Sequence, residues 1–133
     1  MDMVEVGLSR GEEEFALHVQ CPFRIVRGAR IVLGSTDYRH PLPGQVDRAT
    51  AFDRHQTQFD RIATILNGPL AADNGLLVHA AHLRDDGALH LSTGQDLRIE
   101  VFPATSGPVE CWRLFVRNSD GPHYVWPPGS DLS

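Results

Sequence analysis

The chain has 133 residues, 41% hydrophobic and 22% charged, a one-domain length and an ordinary globular composition that exclude a largely disordered or disulfide-scaffold protein. Its formal charge of -5 offers no basic face of the kind that neutralises phosphates, which excludes nucleic acid and anionic membranes as expected partners. All 12 basic residues are arginine, a bias we read as the codon composition of a GC-rich bacterial genome.

The opening stretch MDMVEVGLSRGEEEFALHV carries Asp2, Glu5 and three consecutive glutamates where a secretory leader needs a basic end and an apolar run. The longest apolar run, around GLLVHAAHL, falls far short of the ~20 residues that span a bilayer. A cytoplasmic protein is expected, a single domain over residues 1–133 with its ordered core at about 4–126. In a reducing compartment Cys21 and Cys111 read as buried thiols, not as a disulfide.

Leu17, Val19, Phe23 and Ile25 alternate with His18, Gln20 and Arg24, the period of a half-buried strand interrupted at Cys21-Pro22. FRIVRGARIVLGS reads as a hairpin turning at Arg27-Gly28. Thr36 to Arg48, with two prolines and a glycine, reads as a loop. A helix is expected over TAFDRHQTQFDRIATILNG, where Phe52, Phe59, Ile62, Ala63 and Leu66 share one face, Thr50 and Asp53 cap the start, and Asn67-Gly68-Pro69 stops it. The remainder reads as a meander of short strands with glycine-bearing turns. Leu77, Leu89, Leu91, Leu97, Ile99, Val101, Trp112, Leu114 and Val116 fall on one face of it, and Arg98, Glu100, Arg113 and Arg117 on the other. The expected architecture is α+β: an antiparallel meander of about six to seven strands packed on one main helix.

No complete catalytic or metal motif is present, and neither cysteine belongs to a Cys-x-x-Cys pair. His79 and His82, three apart on a strand, point to opposite faces and cannot easily close on one metal, whereas His82 and His90 can meet across the DDG turn. No metal and no cofactor are expected. GSTDYRH concentrates Ser35, Thr36, Asp37, Tyr38, Arg39 and His40 directly after a strand, in the manner of a functional loop. The plainer reading is a turn in which Asp37 or Ser35 bonds local backbone N–H groups. Asp37 and His40 are candidates for acid–base work with Asp53 or His55 at the helix start, and Ser35, Asp37, Tyr38, Arg39, His40 and His55 form a candidate ligand site. Trp112 reads as core; Trp126, before two prolines, either caps the core or serves as an exposed binding anchor.

LHVQCPFRIVRGARIVLGSTDY, the helix ending in LNG, LHLSTGQDLRIEVFP and ECWRLF together resemble a family of small bacterial domains common in actinobacteria. Its members carry a CPWR-like segment, a GS-x-D, and an L-x-V-x-P strand before E-x-W-x-L; Phe23 stands where many of them have Trp. The resemblance covers about residues 15–117. It implies a shared fold and, through similar domains that resemble immunity proteins of bacterial toxin systems, a protein-binding role. In such a sheet Cys21, Phe23, Cys111 and Trp112 mark a core and its corner, with Arg24 and Arg113 on the wetter face paired with Glu100 or Glu110. The expected function is a non-enzymatic binding domain with another protein as partner. The alternative is a small enzyme or small-molecule-binding domain using a polar cleft between the Ser35–His40 loop and the helix start.

Overall fold

Alternation of apolar and polar side chains produces strands. The computed structural model describes residues 3–40, 47, 57, 59–60, 76–94 and 96–129. Among these residues the strands are β1 Val4–Arg10, β2 Glu13–Val19, β3 Phe23–Arg27, β4 Arg30–Gly34, β5 Leu76–Leu83, β6 Leu89–Thr93, β7 Leu97–Val101, β8 Trp112–Val116 and β9 Tyr124–Trp126, with a short 3-10 turn at Asp37–Arg39. They form one mixed sheet in the order β4-β3-β7-β6-β5-β1-β2-β8-β9. Every neighbouring pair is antiparallel except β1 and β5, which run parallel through Leu8 opposite Leu76 and Ser9 opposite Leu77.

The expected hairpin at Arg27-Gly28 is present: β3 and β4 pair around it, and Gly28 takes a φ of +59°. The expected meander is present from β5 to β7 and again in the β8–β9 pair, but it is broken between β7 and β8. After β7 the chain crosses over, and β8 pairs with β2 instead.

Two consecutive strands lie far apart in the sheet order. β2 belongs to the β5-β1-β2-β8-β9 half and β3 to the β4-β3-β7-β6-β5 half. Gln20 N donates to Cys111 O at 2.8 Å and Phe102 N donates to Pro22 O at 2.8 Å, so the segment between them leaves one half and enters the other within three residues. Strands that switch partners at a bend make the corners of folded-over sheets. One apolar cluster draws Val6, Leu8, Leu17 and Val19 from the first half and Phe23, Ile25, Leu91, Ile99 and Val101 from the second.

The α+β expectation is therefore corrected: sheet covers sheet. Reading the meander as a flat layer required a helix to bury its apolar face, but the roll buries that face against its own other half. Most of the helix expected over residues 50–68 lies outside the described residues, including Thr50 and Asp53. Thr57 N donates to Asp60 Oδ2 at 3.0 Å and Asp60 N to Thr57 Oγ1 at 3.3 Å, a reciprocal cap, and the Phe59 ring meets Phe23 edge-on with centroids 6.5 Å apart. No helix among the described residues is long and apolar enough to cross a membrane.

The roll is pinned at the β5–β6 turn. Trp112 Nε1 donates to Gly87 O at 2.8 Å, while the Trp126 indole covers the α-carbon of Gly87, which has a φ of +90°. A β-carbon at Gly87 would fall inside that indole; at Gly28 it would meet nothing within 4 Å. Gly87→Ala should therefore cost about 2 kcal/mol or more and Gly28→Ala about 1 kcal/mol, read as urea-unfolding free energies. Equal losses at the two glycines would show that backbone conformation alone matters and that the indole yields.

Candidate functional site

The Ser35–His40 loop follows β4, and its polar groups serve the backbone. Ser35 is buried, and its Oγ accepts from Phe23 N at 3.1 Å while its own N–H donates to Phe23 O at 2.9 Å, closing the end of the β3–β4 hairpin. Asp37 Oδ2 accepts from Gly34 N at 2.9 Å, and the 3-10 turn is completed by Arg39 N to Thr36 O and His40 N to Asp37 O. Arg39 and His40 are exposed. His55, Asp53 and the Tyr38 side chain lie outside the described residues, so the pairing of this loop with the helix start does too. Ser35 and Asp37 act here as the plainer reading had them, as turn-forming groups.

A polar row crosses the outer face of the second half. Arg24, Glu100, His90 and His82 are successive cross-strand partners on β3, β7, β6 and β5. Arg24 Nε donates to Glu100 Oε1 at 2.7 Å, and His90 Nδ1 stands 3.8 Å from Glu100 Oε2. Arg24 also lies over the Phe102 ring, 5.4 Å from its centroid, and His90 meets that ring edge-on. The Glu100 side chain is only 10% exposed against 45% for Arg24, so this is a nearly buried carboxylate whose cation remains wet. His90 Nε2 is buried without a hydrogen-bond partner.

The first half carries a second outward cluster. Arg113 donates through Nε and Nη2 to Glu110 Oε1 at 3.2 and 2.7 Å, and its Nη1 lies 2.8 Å from His123 Nδ1. The Phe115 ring stacks on His123 at 4.5 Å, tilted by 13°, and takes the edge of His18 at 4.9 Å. Glu5 joins this face through His18 and Arg117, each at 3.3 Å. Arg24 and Arg113, expected to pair with Glu100 or Glu110, form Arg24–Glu100 and Arg113–Glu110. Phe115 was not singled out from the sequence, although it lies between Arg113 and Arg117 on the polar side of β8's alternation, where an aromatic ring has no core to fill.

Cys21 and Cys111 are free buried thiols that sit together at the corner. Burial pushes the Cys21 thiol up to about 12, and the neighbouring Cys111 pushes in the same direction. Cys111 is raised by burial too, its hydrogen bond with Cys21 offsetting part of that. Trp126 is half-buried and packs against the core cluster, with its carbonyl accepting from Cys111 N at 2.8 Å. Among the described residues no three His, Cys, Asp or Glu side chains converge as a metal ion would require. His82 does face His90 across the β5–β6 hairpin.

Comparison with known proteins found no family model, curated protein or solved structure that matches this chain.

Removing Arg24 should expose the cost of a nearly buried, unpaired carboxylate. Discounted for the guanidinium's wet side, Arg24→Ala is expected to lose about 1–3 kcal/mol, and adding Glu100→Gln should return most of it. A double variant as unstable as the single one would mean that Arg24 acts by packing on Phe102.

The thiols should resist an aromatic disulfide reagent in native protein at about pH 8 and react freely after unfolding. Below 9.0, the ordinary thiol value, both states hold the Cys21 proton; from there towards about 12 the unfolded chain releases it and the native chain keeps it. Stability is therefore lost as pH rises through that window, and Cys21→Ala should flatten the loss measured between about pH 8.5 and 10.5. Rapid native labelling, or an unchanged slope in the variant, would contradict this assignment.

Proposed function

We propose that the chain is a non-enzymatic protein-binding domain and that its binding face is the outer surface of β1, β2 and β8, centred on Phe115. The observation that carries this reading is an aromatic ring on an outward sheet face, held between His18 and His123 and flanked by Arg113 and Arg117. Aromatic side chains and arginine are the residues that dominate binding energy at protein interfaces, and here salt bridges and stacking have already fixed their rotamers, which lowers the entropy cost of docking. The acidic charge argues for a protein partner over nucleic acid.

The enzyme or small-ligand alternative draws no such support, because Ser35 and Asp37 are committed to backbone hydrogen bonds. The resemblance to small actinobacterial domains, and through them to immunity proteins, is consistent with a protein ligand. Two unlinked buried thiols are consistent with a cytoplasmic location.

The test is affinity capture from a bacterial lysate with wild type, Phe115→Ala and Arg113→Glu as parallel baits, each first shown to unfold with a wild-type midpoint. One protein retained by the wild type should be lost from both variants by about thirtyfold, the effect of a hot-spot residue near 2 kcal/mol. Retention unchanged by Phe115→Ala, with Ser35→Ala or His40→Ala abolishing it, would move the site to the β4 loop.

A further inference from the structure

The two cysteines are positioned by hydrogen bonds that belong to both halves of the roll. Val19 stands opposite Trp112 in the β2–β8 register, and on the next rung Gln20 N donates to Cys111 O at 2.8 Å, so Cys21 lies one residue beyond the direct partner of Cys111. After Cys21 the chain has already joined the other half, where Phe102 N donates to Pro22 O at 2.8 Å. Cys111 is held on its far side too, its own N–H donating to Trp126 O at 2.8 Å. Directly opposed residues of an antiparallel pair have α-carbons about 4.5–5.5 Å apart, and a disulfide bridges α-carbons about 4.4–6.8 Å apart, so the position one residue along is within its reach. The side chains converge as well: both cysteines are buried in one apolar cluster, and their thiols share a hydrogen bond. Cys21 Sγ is 3.8 Å from Pro22 O and Cys111 Sγ 3.6 Å from Val109 O, contacts too long to hold either thiol strongly.

We propose that Cys21 and Cys111 are a redox-operated staple: a low-molecular-weight disulfide oxidises them to an intramolecular disulfide that ties the lead-in of β3 to the lead-in of β8 and closes the roll covalently. One cysteine thiolate attacks a sulfur of the small disulfide, forming a mixed disulfide and expelling a small thiolate. The other cysteine thiolate then attacks the protein sulfur of that mixed disulfide and expels the second small thiolate. The two thiol protons pass to the two small thiolates, and the two electrons lost by the protein reduce the reagent. Because both thiols are buried, exchange proceeds when the corner opens, and the bond is kept when the corner closes again. About ninety residues lie between the cysteines, so the bond removes much of the freedom of the unfolded chain. By linkage, folding favours the bond by the same factor as the bond favours folding.

The test equilibrates the full chain with oxidised and reduced glutathione, in native buffer and in about 8 M urea, starting from both the reduced and the bonded chain. After acid quenching, intact mass identifies the bonded form as two hydrogens lighter with no glutathione attached, and peptide mapping should join residues 21 and 111. The equilibrium constant for closure should be at least about 100-fold larger in the native chain than in the urea-unfolded one. The urea midpoint of the bonded form should lie at least about 1 M above that of the reduced form, and dithiothreitol should abolish the difference. Cys111→Ala should show neither the lost hydrogens nor the rise in midpoint, and its mass reads the first whether or not the variant folds. A closure constant that is equal in the two solvents, or larger in urea, overturns the proposal, because the fold would then hold the sulfurs where they cannot bond without strain. A native chain that stops at the mixed disulfide with glutathione overturns it equally.

Discussion

The three residues from Gln20 to Pro22 decide the shape of this molecule. A sheet can bury its apolar face only against another layer, and here the second layer is the same sheet, reached by a strand that changes partners at a bend. Proline has no N–H to give a ladder, yet its carbonyl still accepts, and the corner uses that asymmetry: Gln20 donates to one half and Pro22 accepts from the other. The buried apolar cluster then lies between the two halves. The thiols meet because the corner brings the lead-in to β8 beside the lead-in to β3.

The same roll sorts the charged residues. With the inner faces sealed, polar side chains from adjacent strands line up outside in transverse rows, where Arg24 reaches Glu100 and Arg113 reaches Glu110. The two rows differ in solvent. Glu100 is shielded by its neighbours and depends on its arginine, whereas the Glu5–His18 and Glu5–Arg117 contacts are wetter and hold side-chain geometry more than they add stability. A rigid, charged, aromatic-bearing surface is what the second arrangement leaves outside.

Strand parity was legible in the sequence; layer count was not. Leu89, Leu91, Leu97, Ile99, Val101 and Trp112 are all buried as their alternation implied, and the hairpin at Gly28 and the facing of His82 and His90 follow from turn chemistry alone. Leu77 departs from that pattern, 41% exposed, because the register shift between Val78 and Ala80 reverses the side-chain parity of β5 and puts Leu76 in the inward position instead. β1 escaped notice because its acidic flanks invited a question about targeting, not about pairing. The β1–β5 and β2–β8 pairings join segments about a hundred residues or more than sixty apart, and no local period encodes them. In the Ser35–His40 loop the same composition supports both a site and a turn, and of its side chains Ser35 and Asp37 accept from backbone donors, as short polar side chains after a strand commonly do.

Both tryptophans converge on one glycine in the β5–β6 turn, one giving a hydrogen bond to its carbonyl and the other covering its α-carbon. The chain contains no other tryptophan, so its intrinsic fluorescence is a local gauge, not an average over the molecule. An indole hydrogen-bonded to a carbonyl and shielded from water emits differently from a hydrated one, and the signal thus registers whether β8 and β9 are seated on the turn. The β3–β4 edge could fray without altering it. Comparing emission with a probe of total strand content would therefore distinguish a chain that opens at the seam from one that melts as a unit.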